Sequence, residues 1–345
     1  MPPKVVLVTG ASRFLGGHLA SRLAADPSVD RVIGVDTVPP PRDLRRRMGR
    51  AEFVRADIRN PLIAKVITGA DVDTVVHASL SPSPARSGGR VSMMEMNVIG
   101  SMQLLAACQQ APSVRRLVVK STTAVYGASA RDPAVFTEDM GAKSLPRGGY
   151  AKDAVEIEGY VRGFSRRRPD VTVSLLRFTN FIGPRIETVM TRYFALPVVP
   201  TVLGYDARVQ LLHEEDALAV LQRATMDDLS GVFNVGGDGV LLLSQAIRRA
   251  GRVPLPVPTF GVGPVSRLFR QAGLVDFSPE QMRFLNFGRV VDTTRLRTEF
   301  GFTPRWTTVQ AFDDFVSGRG LRPLIDPRHV RAAEQSVLDG LARLR

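Results

Sequence analysis

The stretch Lys4-Val-Val-Leu-Val-Thr-Gly-Ala-Ser-Arg-Phe-Leu-Gly-Gly-His-Leu-Ala-Ser-Arg-Leu-Ala24 decides the fold. Its apolar start reads as a buried strand, its end as a helix, and Gly10 to Gly16 as the turn between them. Such a turn aims backbone N–H groups and a helix N-terminus at one point, where the partial positive charge can hold a pyrophosphate. Gly10 permits the tight turn, and Gly16 permits close packing of the helix. A dinucleotide fingerprint has a further glycine between these two; here that position is Arg13.

Working outward, Arg31–Asp36 reads as a second short strand that ends on an acid twenty residues beyond Gly16. A carboxylate there accepts both ribose hydroxyls of an adenosine and repels a 2′-phosphate. Asp36 therefore argues for NAD, whereas Arg13 is within reach of a 2′-phosphate and keeps NADP open; NAD is preferred. Glu52–Asp57 reads as a third strand with Asp57 at its end, where an acid meets an adenine amino group. Asp73–His77 reads as a fourth, followed by a turn-rich loop to Gly89, a helix from about Val91 to Gln110 and the strand Arg116–Lys120. Short apolar strands alternating with helices, without a repeat or a long linker, predict an α/β fold: a doubly wound parallel sheet of the Rossmann type. Residues 1–180 and 205–238 are expected to form this domain, and residues 181–204 and 239–345 a smaller mixed substrate domain with a C-terminal tail.

A chain of 345 residues with 44% hydrophobic content can bury a large core. Its formal charge of +13 comes almost wholly from arginine, since only five of the 46 basic residues are lysine. The runs Arg45–Arg47 and Arg166–Arg168 lack interleaved aromatics or zinc-ligand spacing, so a solvated basic face is expected and not a nucleic-acid partner. Cys108 lies in a helical apolar pattern and reads as a packed thiol. The four histidines are scattered, and no metal site is expected. No apolar run reaches the ~20 residues of a membrane span, so a soluble cytoplasmic protein is expected.

In order along the chain, Thr9-Gly10 to Gly16, Asp36, Asp57-Ile58-Arg59, His77-Ala78-Ser79, Asn97 to Gly100 and Ser121 to Gly127 match signatures of the extended short-chain dehydrogenases/reductases. Leu176 to Asn180, Gly183-Pro184, His213 to Asp216, Phe233 to Gly236 and Asp292 to Pro304 continue the match. Over about residues 4–310 the chain resembles the NAD-dependent epimerase/dehydratase group, of the UDP-glucose 4-epimerase type. The resemblance implies NAD held by Gly10, Ser12, Arg13, Phe14, Leu15, Gly16, Asp36, Asp57, Ile58, His77, Ala78, Ser79, Asn97 and Lys152. It also implies a nucleotide-sugar substrate touched by Asn180 and Arg208.

Enzymes of this kind oxidise a sugar hydroxyl by hydride transfer to the nicotinamide while a tyrosine takes the proton. A lysine lowers the tyrosine pKa and binds the nicotinamide ribose, and a Ser or Thr hydrogen-bonds the reacting oxygen. The hydroxyl residue maps to Thr122, five before Gly127. Tyrosine and lysine belong at YxxxK spacing, which puts both on one helix face. Tyr150 and Lys152 are two apart, about 200° around a helix. If the lysine register is kept, as Lys152 followed by Glu156 suggests, Gly148 occupies the tyrosine position. If Pro146 fixes the tyrosine register, Tyr150 is retained and the lysine position becomes Ala154. The first is preferred, because helical register is harder to shift than a loop end; Tyr150 would then reach the site only if the helix begins after it. Tyr126 is placed for packing. Thr123 and Ala124 stand where similar sugar 4,6-dehydratases carry an Asp-Glu pair, so elimination of water is not expected.

On the substrate side, Arg208–His213 and Phe233–Gly236 are expected to return to the sheet, with His213 packed against Asp216. The prolines from Pro254 onward mark a linker or lid. Leu268 and Phe269 beside Arg267 and Arg270 suggest a helix, packed on the small domain in the preferred reading and laid on a membrane surface in the other. The tail beyond Pro327 reads as a helix docked on the core or on a second copy, as in a homodimer. Two functions follow: an atypical nucleotide-sugar epimerase or oxidoreductase, and a catalytically impaired NAD(P)-binding sensor or scaffold, the latter motivated by the broken Tyr-Lys spacing.

Overall fold

A computed structural model describes residues 2–81, 89–142, 149–258 and 279–323, the side chains of 279 and 280 excepted. Strands β1 to β6 are Val5–Thr9, Arg31–Asp36, Glu52–Arg55, Thr74–His77, Arg116–Thr122 and Thr172–Phe178. The short β7 (Asn180–Ile182), β8 (Val198–Val202), β9 (Arg208–Val209) and β10 (Leu211–His213) precede β11 (Gly231–Val235). Seven strands form one sheet in the order β11-β6-β5-β4-β1-β2-β3. All its pairs are parallel. The order reverses between β1 and β4, which opens a crevice beyond their carboxyl ends.

Helices cover both faces, which is why the strands are apolar on successive residues instead of alternating. On one face α1 (Phe14–Ala25) presents Leu19 and Leu23 to Val6, Val8 and Val118. After the short α2 (Arg42–Arg47), the other face receives α3 (Leu62–Gly69), α4 (Arg90–Met94), α5 (Gly100–Gln110) and α6 (Gly149–Arg167). There Ile63, Leu104, Ile157 and Phe164 pack on Leu7, Val75, Leu117 and Val119, with the Cys108 thiol buried among them. Between α4 and α5 the helix passes through a π turn, Glu95–Ile99. The continuous helix Arg90–Gln110 is, against the sequence expectation, long and apolar enough by length and composition to cross a membrane. Half of it is buried, against α3 and α6, so it serves as a core helix.

The smaller part holds α7 (Val189–Ala195), α9 (Leu243–Arg249), α10 (Pro279–Phe287), α11 (Thr294–Thr298) and α12 (Thr308–Gly318), while α8 (Glu214–Met226) returns to the main sheet beside α1. Its core gathers Phe194, Leu211, Ile247, Phe312 and Phe315. Three sequence expectations differ here. Residues 208–213 do not rejoin the large sheet: β9 pairs with β12 (Leu241–Leu242) and β14 (Gly288–Arg289), and β10 pairs with β7. Pro254 and Pro256 lie in a strand, β13 (Val253–Val257), whose partner among the described residues is β8. An edge strand tolerates a missing N–H, which is why two prolines do not make a linker here. His213 meets Asp314 at 3.1 Å and stacks on Trp306, while Asp216 accepts from the backbone of Arg305 and Trp306. The basic helix around Leu268 and the helix beyond Pro327 lie outside the described residues.

Candidate active site

Gly10 has φ +73°, and a Cβ there would stand 3.0 Å from the Ser79 Cα, so β1 and β4 close together at the mouth of the crevice. At Gly16 a Cβ would stand 2.3 Å from the Gly10 carbonyl oxygen, so α1 starts directly on the turn. Arg13 caps α1 through its backbone, its carbonyl accepting from Gly17 N at 2.9 Å, and its side chain makes no cap hydrogen bond. Phe14 is half-buried against His18, and Leu15 is packed in the core, so both contribute backbone to this turn. The Asp36 carboxylate accepts from Ser12 N at 3.1 Å and from Thr37 N at 2.8 Å. Two backbone bonds fix it at the strand end; Oδ1 also accepts from Thr37 Oγ1 at 3.4 Å, and Oδ2 retains a lone pair for a ribose hydroxyl.

Farther along the edge, Asp57 receives the Arg59 guanidinium, which holds its carboxyl below the ordinary range, and Ile58 is buried against Gly100. The Ala78 N–H donates to Thr9 Oγ1 at 3.1 Å. His77 does not face the crevice. Its Nδ1 lies 3.0 Å from Thr9 Oγ1 and 3.4 Å from Ser79 Oγ, and its Nε2 lies 2.7 Å from Ser101 Oγ. Ser101 spends its proton on the Asn97 carbonyl, so the network assigns the histidine proton to Nε2. Burial pushes the His77 pKa down to about 3, helped by Lys120, so the ring is neutral and ties β1 and β4 to α5. The sequence expectation of a cofactor contact by this side chain is thus corrected. Asn97 is also internal: it accepts from Ser81 N, donates to Ser81 O, and donates to Asp153 at 3.1 Å.

At the end of β5, Thr122 Oγ1 accepts from Ala124 N at 3.2 Å, and the Tyr150 phenol stands close enough to Thr122 for its hydroxyl to pull the phenol pKa down. Helix α6 begins at Gly149, with φ +65°, so Tyr150 stands in its first turn and not ahead of it. Burial pushes the Tyr150 phenol above its ordinary pKa, Thr122 and the Arg13 charge pull it down, and Asp153 raises it. Lys152 is exposed on the outer side of α6 and does not join this pair. The register preferred from the sequence is therefore corrected: Tyr150 keeps the tyrosine position, and Ala154, fully buried against Val125, Tyr126 and Phe136, stands at the lysine position. Tyr126 is internal as expected, its OH donating to Asn234 and accepting from Arg177, which pairs with Glu158. Asn180 is half-buried on β7, and Arg208 is exposed on β9, where the Gly288 backbone presses against it.

Residues 6–236 match the NAD dependent epimerase/dehydratase family. The chain belongs to that family. An uncharacterised protein of Mycobacterium tuberculosis is 58% identical over 341 residues, covering 99% of this chain and 90% of that protein. A trifunctional UDP-glucose 4,6-dehydratase/3,5-epimerase/reductase of Arabidopsis thaliana is 26% identical over 248 residues, 68% of this chain and 37% of that one. Among solved structures, the fold is shared with UDP-glucose 4-epimerase of Thermotoga maritima, with a TM-score of 0.70 at 18% identity, covering 91% of this chain and 98% of that one. It is shared equally with the NAD complex of dTDP-glucose 4,6-dehydratase from Bacillus anthracis, with a TM-score of 0.71 at 18% identity, covering 92% and 96%.

NAD is the dinucleotide of this family, and the crevice fits it. The Gly10 to Gly16 turn leaves backbone room at the pyrophosphate position, and Asp36 stands one strand away with acceptor capacity for an adenosine ribose. The fit changes at the other end, where Lys120 was missed from the sequence. It is a lone lysine in the apolar run Leu117 to Val119 of a central strand, and a side chain that cannot reach water from there is the signal that could have marked it. The Arg90–Asp153 pair was likewise missed, because its partners lie 63 residues apart.

Proposed function

We propose that this protein is an NAD-dependent nucleotide-sugar enzyme, a 4-epimerase. The observation that carries the reading is the Tyr150 phenol, in the first turn of α6, standing beside Thr122 at the carboxyl end of β5. Family membership supports it, as do the nucleotide-sugar epimerases that share the fold. Bound NAD would supply the hydride acceptor. Thr122 orients a sugar hydroxyl, and Tyr150, which the positive charge of bound NAD would help to ionise, would take its proton as the C–H bond breaks and the carbonyl forms. Bound cofactor would supply the hydride back to the opposite sugar face, and Tyr150 would return the proton to give the epimer. Asn180, near the crevice on β7, is the residue to meet the substrate diphosphate. The absence of an Asp-Glu pair after Thr122 argues against dehydration as the outcome.

Ala154 at the lysine position favours a second reading, a cofactor-binding sensor without turnover. Purified full-length protein, NAD and a panel of UDP- and dTDP-hexoses, with C4 epimers resolved by chromatography, separate the two. Turnover that Tyr150→Phe reduces by about 100-fold or more supports the enzyme. Binding of NAD with no turnover, unchanged by Tyr150→Phe, establishes the sensor instead.

A further inference from the structure

Lys120 is buried on β5, a central strand of the sheet. Its Nζ donates to the Leu80 carbonyl at 3.3 Å and lies 5.8 Å from the centre of the Phe181 ring. Two residues along the same strand and on the same sheet face is Thr122, which carries Tyr150. Resting on the cofactor reading above, we propose that Lys120, rising from β5 and not from α6, is the amine that holds the nicotinamide-ribose end of the dinucleotide and sets its preference for the reduced form.

The sheet order supplies the position. Asp36 ends β2 and Lys120 nears the end of β5, with β1 and β4 between them. Three strand spacings make about 14 Å, the span of a dinucleotide lying with its adenosine at Asp36 and its pyrophosphate on α1. Its far end then lies over β5. A family lysine reaches this place from the helix, one turn after the tyrosine. Here Ala154 fills that position and is sealed under Val125 and Tyr126, and Lys152 points outward. Lys120 is the described lysine that remains on the crevice side.

The charge on Lys120 is adjustable. Burial, reinforced by Arg13, pulls its pKa down to about 7. The groups that face it are Arg13 from the glycine turn, His77 and the Leu80 carbonyl from β4 and its loop, and Phe181 from β7. Its partner across β6 is the apolar Leu176, and Arg177 there is turned to Glu158. Between pH 6 and 9, roughly, Arg13 stays charged and His77 stays neutral. Lys120 is the member of this set that changes charge. An ammonium there repels the cationic ring of NAD⁺ and not the neutral ring of NADH, whereas a neutral amine distinguishes them little.

Calorimetric titration of the full chain with NADH, NAD⁺ and ADP at pH 6 and pH 9 tests this without any substrate. In the wild type the preference for NADH over NAD⁺ is expected to be about fivefold greater at pH 6. Lys120→Met is expected to abolish that shift and to weaken NADH about tenfold, the loss of a charge-assisted hydrogen bond. It should leave ADP, which lacks the nicotinamide half, unchanged; retained ADP binding also reports a folded crevice. Lys120→Arg should prefer NADH equally at both pH values. The proposal is overturned if ADP weakens as much as NADH, or if the pH shift is missing in the wild type or survives in Lys120→Met. Wild-type protein that binds neither NADH nor ADP overturns the cofactor reading itself, and is told apart by that first titration.

Discussion

Asn97 Nδ2 donates to Asp153 Oδ2 at 3.1 Å, joining the π turn to the first turn of α6. The same carboxylate receives two N–H groups of Arg90 at 2.8 and 2.6 Å, and Arg90 also donates to the Gly149 carbonyl at 3.0 Å. Tyr150 lies between Gly149 and Asp153, so two partners, Asn97 and Arg90, fix the turn that places its phenol beside Thr122. π turns cluster at functional sites because the extra residue re-aims a side chain, here the amide of Asn97. Asp153→Ala would strand the Asn97 amide and the Arg90 guanidinium. Arg90 is 37% exposed and recovers part of its hydration, so the expected loss is about 2 kcal/mol and not the larger figure for a fully buried pair. Urea denaturation reads it, and a change under about 0.5 kcal/mol would show that packing alone positions α6.

The neutral, buried His77 makes stability depend on pH in a definite direction. Its folded pKa, about 3, lies below the 6.5 of the free side chain. The unfolded chain binds the extra proton between those values, so this contribution is fully present above pH 6.5 and lost as pH falls toward 3. At pH 5 the loss from this one group is about 2 kcal/mol. His77→Asn should destabilise the protein at pH 7, by breaking the link to Thr9 and Ser101, and the difference from wild type should shrink by that amount at pH 5. Carboxylates titrate in both proteins and cancel from the comparison. Equal differences at the two pH values would place the ring in contact with water.

Asp36 and Arg13 pull the cofactor choice in opposite directions, and their geometry favours Asp36. The carboxylate is pinned by the N–H groups of Ser12 and Thr37 and cannot swing away from a 2′-phosphate. The Arg13 charge acts on Tyr150 and Lys120, on the β5 side of the crevice. Fluorescence titration should therefore find NADH bound at least about tenfold more tightly than NADPH, with Asp36→Ala erasing the difference. Arg13→Ala should leave the ratio unchanged. A wild type that prefers NADPH, with the preference lost in Arg13→Ala, would reverse the assignment.

The sheet, the turn and the acid at the end of β2 were legible because each is a local pattern: an apolar run, a glycine turn, a terminal carboxylate. The register of α6 was not, for a physical reason. Lys152 and Glu156 stand at i, i+4 spacing, a charge pattern that marks the solvated face of a helix and not a site, and both are exposed. What orients Tyr150 is instead Asp153, through Arg90 and Asn97, residues far away in sequence. His213 was misplaced for the same reason, since its partner Asp314 arrives from α12, 101 residues on. Pro254 and Pro256 were misread because proline forbids a central strand and not one with an open edge.

The tempting repair, Ala154→Lys, restores YxxxK spacing with Tyr150 and should fail. Ala154 is fully buried, and its neighbours Val125, Tyr126, Phe136 and Val291 close over it with no path to the crevice. A lysine side chain there must displace that packing and bury its ammonium beside Tyr126, whose OH is already committed to Asn234 and Arg177. Overpacking and an unpaired buried charge together are expected to cost about 3 kcal/mol or more. A lowered thermal midpoint with no gain in NADH affinity is the anticipated result. If Ala154→Lys instead folds with wild-type stability and binds NADH more tightly, the helix has room to present a lysine to the crevice. In that case the amine on β5 is not filling a place the helix has lost.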